Sequence, residues 1–246
     1  LNLTILHTND LHGNFDEASA ATIRGLKGEE ALYFDCGDCI KAGNLAVPLR
    51  QDPVWKHLES AGCDAGTLGN RETQVLQRAF ESKIAGSGHP LLCANLRTKN
   101  GERPLPGYTV IERAGAKVGV IGAMVPVVTE RMVSKVASAY LWDPPIPAVC
   151  AVAKGLRPKV DCLIALTHIG FRHDSELAEA CPELDMILGA HSHTRLDSPA
   201  RFGRVWVFQT GSHGRYVGKY TWSKQRGLLD AELIPLREDA VVQPKR

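Results

Sequence analysis

No apolar run in the sequence approaches the roughly 20 residues that a membrane-spanning helix needs. There is no repeat and no low-complexity tract. Net charge is nearly absent: 29 Lys and Arg stand against 27 Asp and Glu, leaving +2. Neither a nucleic-acid polymer nor an anionic membrane is therefore an expected partner. No secretory leader is visible, although the chain opens at Leu1 inside an apparent strand, without an initiator Met. Cysteine is not scarce, but its seven copies are odd in number and mostly sit in apolar or strand-like surroundings. That argues against a disulfide framework and for reduced core thiols. A cytoplasmic location is favoured on this ground, and a periplasmic or secreted one stays open because the Met is missing. Cys36 and Cys39 form a CxxC around Gly37-Asp38, where another role for the aspartate competes with redox use.

What the chain does have is alternation. Short apolar runs at Leu3–His7, Leu32–Phe34, Thr67-Leu68, Leu91–Cys93, Cys162–Leu166 and Met186–Leu188 read as strands. Helical patterns lie between them at 18–26, 47–61, 72–84, 146–155 and 175–180, the second disturbed by Pro48 and Pro53. Residues 108–112 and 117–121 read as a hairpin, and the segments 205–208, 216–222 and 228–234 as meandering strands. This order predicts an α/β protein with both sheet faces covered. The β-rich tail adds a second sheet, giving a four-layer α/β/β/α sandwich of two packed mixed sheets. No linker is visible, so residues 1–246 are expected to form one domain.

The polar signals fall just after strands. They are Asp10 and His12, then Asp38, then Asn70, then His168, then His191 and His193. In open α/β sheets, sites form at the carboxyl ends of strands. Alone, Asp10 and Asp38 suit turns, and Asn70 suits a helix N-cap. Together, five loops supply imidazole, carboxylate and amide ligands for divalent ions, with positions left for water and substrate. Two such ions about 3.5–4 Å apart clamp a phosphoryl group. If Asp10-Leu11-His12 and His191-Ser192-His193 are extended, the outer residues of each triplet point the same way.

These residues stand in motifs that together resemble the calcineurin-like metallophosphoesterases, and within them the catalytic domain of 5′-nucleotidases. The motifs are LHTNDLHGNF (6–15), FDCGD (34–38), GNRE (69–72), ANL (94–96), KVGVIG (117–122), LTHIG (166–170), LGAHSHT (188–194) and QTGSHGRYVGKY (209–220). The resemblance implies the same sandwich fold and a dinuclear phosphohydrolase acting on a small phosphorylated substrate. In it a hydroxide between two divalent ions attacks phosphorus. Asp10, His12, Asp38 and His193 would hold one ion. Asp38 would bridge to a second, held by Asn70, His168 and His191. Mn, Zn, Fe or a similar transition metal is implied as the cofactor.

The chain departs from that pattern twice. Relatives carry a C-terminal domain that grips the nucleoside, and here only Gln243-Pro244-Lys245-Arg246 follows the last strand. A single domain without that module is the expectation. The pattern also has His after Gly-Asn, with Asp three residues on, and here those positions hold Arg71 and Gln74. Arg is charged at any working pH and its fork suits phosphate oxygens, but it cannot act as a general acid. Arg71 is thus expected to bind phosphate, with Asn70 beside it, favouring anhydrides or aryl esters over alkyl esters. A metal- or phosphate-binding protein without turnover, and a hydrolase of diesters or sulfate-like esters, are the alternatives. Arg195, His213 and Tyr216 lie near the motifs without an assigned role. His57, His89 and His173 are expected at the surface, and the four tryptophans in packing.

Overall fold

A computed structural model describes residues 2–237 and Ala240. The basic tail 243–246 lies outside the described residues. The strands are β1 (Asn2–Thr8), β2 (Leu32–Asp35), β3 (Ala65–Thr67), β4 (Leu91–Leu92), β5 (Leu96–Thr98), β6 (Tyr108–Arg113), β7 (Ala116–Met124), β8 (Tyr140–Trp142), β9 (Cys162–His168), β10 (Met186–Leu188), β11 (Ala200–Phe202), β12 (Val205–Phe208), β13 (Tyr216–Ser223) and β14 (Gly227–Pro235). The helices are α1 (Glu17–Lys27), α2 (Val54–Ser60), α3 (Gln77–Ile84), α4 (Pro145–Leu156) and α5 (Phe171–Ala180).

Two six-stranded sheets form, in the orders β14-β13-β1-β2-β3-β4 and β11-β12-β10-β9-β7-β6, with β5-β8 as a small separate pair. Each large sheet is mixed. β1 to β4 run parallel and β13 returns antiparallel; β7, β9, β10 and β12 run parallel and β6 antiparallel. Strand alternation divides the side chains between layers. Leu3 and Ile5 join Cys162, Ile164 and Leu166 between the sheets. Leu6 instead faces Ile23, Leu58 and Phe80 under α1, α2 and α3. Leu163 and Ala165 face Val149 and Leu177 under α4 and α5. Three apolar interiors between four layers make the α/β/β/α sandwich expected from the sequence.

Two helices are shorter than their patterns. The stretch 47–61 is helical only over Val54–Ser60. Pro48 and Pro53 lack the amide donors that a longer helix requires, and Asp52 takes the amides of Lys41 and Val54 instead. The stretch 72–84 is helical only from Gln77, because Glu72 is occupied elsewhere, as described below. Arg71 and Gln74 therefore do not share a helical face; the Gln74 amide oxygen accepts from Val75 N at 2.7 Å.

Candidate metal centre

The parallel strands of both sheets end at one edge, and their loops converge there. β1 leads into Asp10 and His12, β2 into Asp38, and β3 into Asn70, while β9 ends on His168 and β10 leads into His191 and His193. All seven expected ligands meet. Asp10 Oδ1 lies 3.3 Å from His193 Nε2, 3.9 Å from His12 Nε2 and 4.0 Å from His168 Nε2. His12 Nε2 and His193 Nε2 face each other at 2.9 Å. Asp38 Oδ1 is 3.6 Å from His168 Nε2. Asn70 Oδ1 sits 3.2 Å from His168 Nε2 and 3.1 Å from His191 Nδ1. Two ligand groups result, Asp10-His12-His193 and Asp10-Asp38-His168, each with donor atoms within 4.8 Å of one another. Asp10 belongs to both, whereas the resemblance gives the shared position to Asp38.

The triplets do not converge by being extended. Asp10, His12, Asp38, His191 and His193 have φ of 51°, 52°, 54°, 79° and 55°. Left-handed backbone at non-glycine residues is unfavourable by ~1 kcal/mol or more each, and it persists where surrounding structure enforces it. Here Gly37 O accepts from Asp10 N at 3.0 Å and Asp38 O accepts from His12 N at 2.8 Å, so the first two loops lock each other.

The hydrogen bonds leave acceptors facing inward. Asp10 Oδ2 accepts from Asn9 Nδ2 at 2.7 Å and from His191 N at 2.9 Å. Its other oxygen is buried and accepts no hydrogen bond. His168 Nδ1 donates to the Cys36 carbonyl, 2.8 Å away, which aims Nε2 at Asn70 Oδ1 and Asp38 Oδ1. The Asn70 amide nitrogen donates to Asn44 Oδ1 at 2.9 Å, which keeps its oxygen inward. Burial and the Arg71 charge push His12 down to about 4, and burial lowers His191. Burial opposes the Asp10 charge, yet His193, His168 and Asn9 hold that carboxyl at about 2. Asp38 is raised by burial. The ionised Asp10 carboxylate and the lowered His12 and His191 are in forms that coordinate metal, while the contact with Asp10 raises His193. The nitrogen and oxygen mixture fits a transition-metal ion.

Supporting residues hold this arrangement. The buried Glu72 carboxylate accepts from Asp38 N and Gly69 N, both at 2.8 Å, and from Ile40 N at 3.2 Å. It thus clamps the Asp38 loop to the Asn70 loop. Buried Lys83 donates to Gly43 O and Asn44 O, both at 3.0 Å, and to Arg71 O at 2.7 Å. Asp174, Gln209 and Ser192 form a chain behind the histidine loop, with bonds of 2.7 and 2.9 Å. Glu72, Ser192 and Gln209 lie within the motifs GNRE, LGAHSHT and QTGSHGRYVGKY, whereas Lys83 and Asp174 had no sequence signal.

No family model matches the chain. Among curated proteins, an apyrase of Anopheles gambiae is 30% identical over 275 residues, covering 89% of this chain and 48% of the apyrase. A 5′-nucleotidase of Vibrio cholerae is 28% identical over 291 residues, covering 95% of this chain and 51% of the relative. Among solved structures, the calcineurin-like phosphoesterase YfkN from Bacillus subtilis superposes with a TM-score of 0.76 at 21% identity, covering 97% of this chain and 92% of that one. The chain is a metallophosphoesterase domain of the 5′-nucleotidase type. It spans about half the length of the curated relatives it matches.

Other residues of this metallophosphoesterase domain fall inside or outside the centre. Arg71 N donates to Asp38 Oδ1 at 2.7 Å, its Nη1 donates to Lys41 O at 3.1 Å, and its Nε is 3.9 Å from Asp38 Oδ2. The Arg71 side chain is 28% exposed, so it borders the centre and is partly open to solvent. His213 packs against His12 in a tilted pair and against His193 edge to face, with ring centroids 4.9 and 5.8 Å away. Arg195 is held by Asp197 at 2.6 Å and by the Tyr216 hydroxyl at 2.7 Å. His89 is buried rather than exposed, and neither ring nitrogen has a partner. Cys36 and Cys39 are buried thiols bonded to Leu188 O and Glu72, with burial raising both, and not a redox pair.

Proposed function

We propose that the domain is a metal-dependent phosphoric ester hydrolase of the 5′-nucleotidase type, acting on a small phosphorylated substrate. The observation that carries this reading is the orphaned Asp10 Oδ1, with imidazole nitrogens of His12, His168 and His193 3.3–4.0 Å from it. Asp10, His12 and His193 would hold one divalent ion. Asp38, Asn70, His168 and His191 would hold a second, beside Asp10. Bound there, divalent ions supply Lewis acidity toward the phosphoryl group and a nucleophile at neutral pH. Arg71 presents its guanidinium to the phosphate and stabilises charge there as the ester breaks. It keeps its proton throughout, so esters whose leaving group needs no protonation react fastest. The relatives' names support the phosphoester class, since they are a 5′-nucleotidase and an apyrase.

The test is metal analysis combined with turnover of a panel of phosphate esters that varies leaving-group pKa, under Mn²⁺, Co²⁺ and Ni²⁺. Bound metal with turnover that rises as leaving-group pKa falls is the expected result. Bound metal without turnover of any member assigns the chain to metal or phosphate binding instead.

A further inference from the structure

Beside the metal centre lies a cavity of about 610 Å³, within the range that holds drug-sized organic ligands. Its wall begins one residue from a metal ligand: Ile169 lines it, and Val125, also on the wall, donates its amide to His168 O at 2.9 Å. His173 lines the same cavity, with its Nδ1 3.1 Å from the carbonyl oxygen of Ile169, the residue after His168. The interior is apolar and made largely of rings, with Pro126, Pro144 and Pro145 around the buried Trp142. Two carboxylates stand at the rim, but Arg97 holds both, Glu130 at 3.1 Å and Asp143 at 3.0 Å. Arg131 also lines the cavity and is exposed. An apolar body fits these walls.

Resting on the phosphohydrolase reading, we propose that this cavity receives the organic part of the substrate, and that this part is an aromatic or heteroaromatic ring system. The ring system is held by the catalytic domain itself, with the phosphoryl end at Arg71 and the metal ligands. The chemistry of the centre points the same way. An aryl oxygen leaves without a proton donor, and Arg71 cannot donate one.

The experiment uses Thr129→Trp, which fills the cavity from its wall, and Arg131→Trp, which blocks it from an exposed rim position. Neither residue belongs to the metal centre. With metal-loaded protein, kcat/KM for 2-naphthyl phosphate is expected to fall by about 10-fold or more in both variants, with methyl phosphate unaffected. Equal losses on both esters, or no loss on either in folded variants, overturn the proposal while leaving the phosphohydrolase reading standing. A binding arm reads the cavity even if no ester turns over. 2-Naphthylmethylphosphonate should bind the metal-loaded, unsubstituted protein about 10-fold more tightly than methylphosphonate, and the variants should lose that advantage. Equal affinity for the two phosphonates overturns the proposal.

Discussion

Glu72→Gln removes one oxygen from a side chain that holds two ligand loops in place. The carboxylate accepts three backbone N–H groups, two at Oε2 and one at Oε1. Gln keeps one acceptor. If its oxygen stays with Asp38 N and Gly69 N, its NH₂ faces Ile40 N, donor against donor, across 3.2 Å. Losing one charge-assisted bond and stranding a buried amide is worth ~2–4 kcal/mol. Part of this is offset, because burial and the Asp38 charge already push the Glu72 carboxyl up. A net loss of ~1–3 kcal/mol remains, or a fall in Tm of roughly 3–10 °C for a chain of this size. The Asp38 and Asn70 loops then lose their common anchor, and metal affinity should drop by about 10–100-fold, as for other supports of metal ligands. Thermal unfolding and calorimetric Mn²⁺ titration measure the two effects. A variant within ~1 °C of the parent in Tm, with unchanged Mn²⁺ affinity, would refute the clamp.

Lys83→Met exchanges three hydrogen bonds for an apolar side chain and leaves the carbonyls of Gly43, Asn44 and Arg71 without their donor. A destabilisation of ~2–4 kcal/mol in urea unfolding is expected, with no change if these carbonyls find water instead. Arg71→His restores a titratable group at the phosphate position. The ratio of methyl phosphate to 4-nitrophenyl phosphate turnover should rise by about 10-fold or more, and an unchanged ratio defeats the leaving-group argument. His89 has its imidazole lowered by burial to about 4. The neutral ring is favoured in the fold, so its contribution is full above pH 6.5 and is lost as pH falls from 6.5 to 4, by ~3 kcal/mol in total. His89→Phe should flatten acid destabilisation over that window in pH-dependent unfolding, and an unaltered slope rejects the assignment.

The layers and the converging loops were legible because both rest on periodic or local signals. Leu3, Ile5 and Leu166 alternate with residues of the opposite face, and the ligands follow directly on apolar strands. The supports were not legible, because their partners are backbone groups far along the chain. Lys83 looks like a surface helix residue until the carbonyls of Gly43 and Asn44, about 40 positions away, are seen beside it. Glu72 looks like the first residue of a helix, yet the loop amides of Asp38 and Ile40 take its carboxylate, and the helix starts at Gln77. The left-handed turns at the ligands carried only a weak sequence signal, since Asp and His are enriched at positive φ but far less decisively than glycine. β5 and β8 were missed because a pair of three-residue strands carries too little periodicity to read.

The two sheets contribute unequal shares of the centre: Asp10, His12, Asp38 and Asn70 come from one, and His168, His191 and His193 from the other. Neither share closes a coordination sphere alone. The centre therefore behaves as a clasp across two leaves, and the interior between the leaves sets how far apart its halves rest. A change of volume at Val120 or Ile164, both packed between the leaves, would then shift the spacing of the candidate ligands.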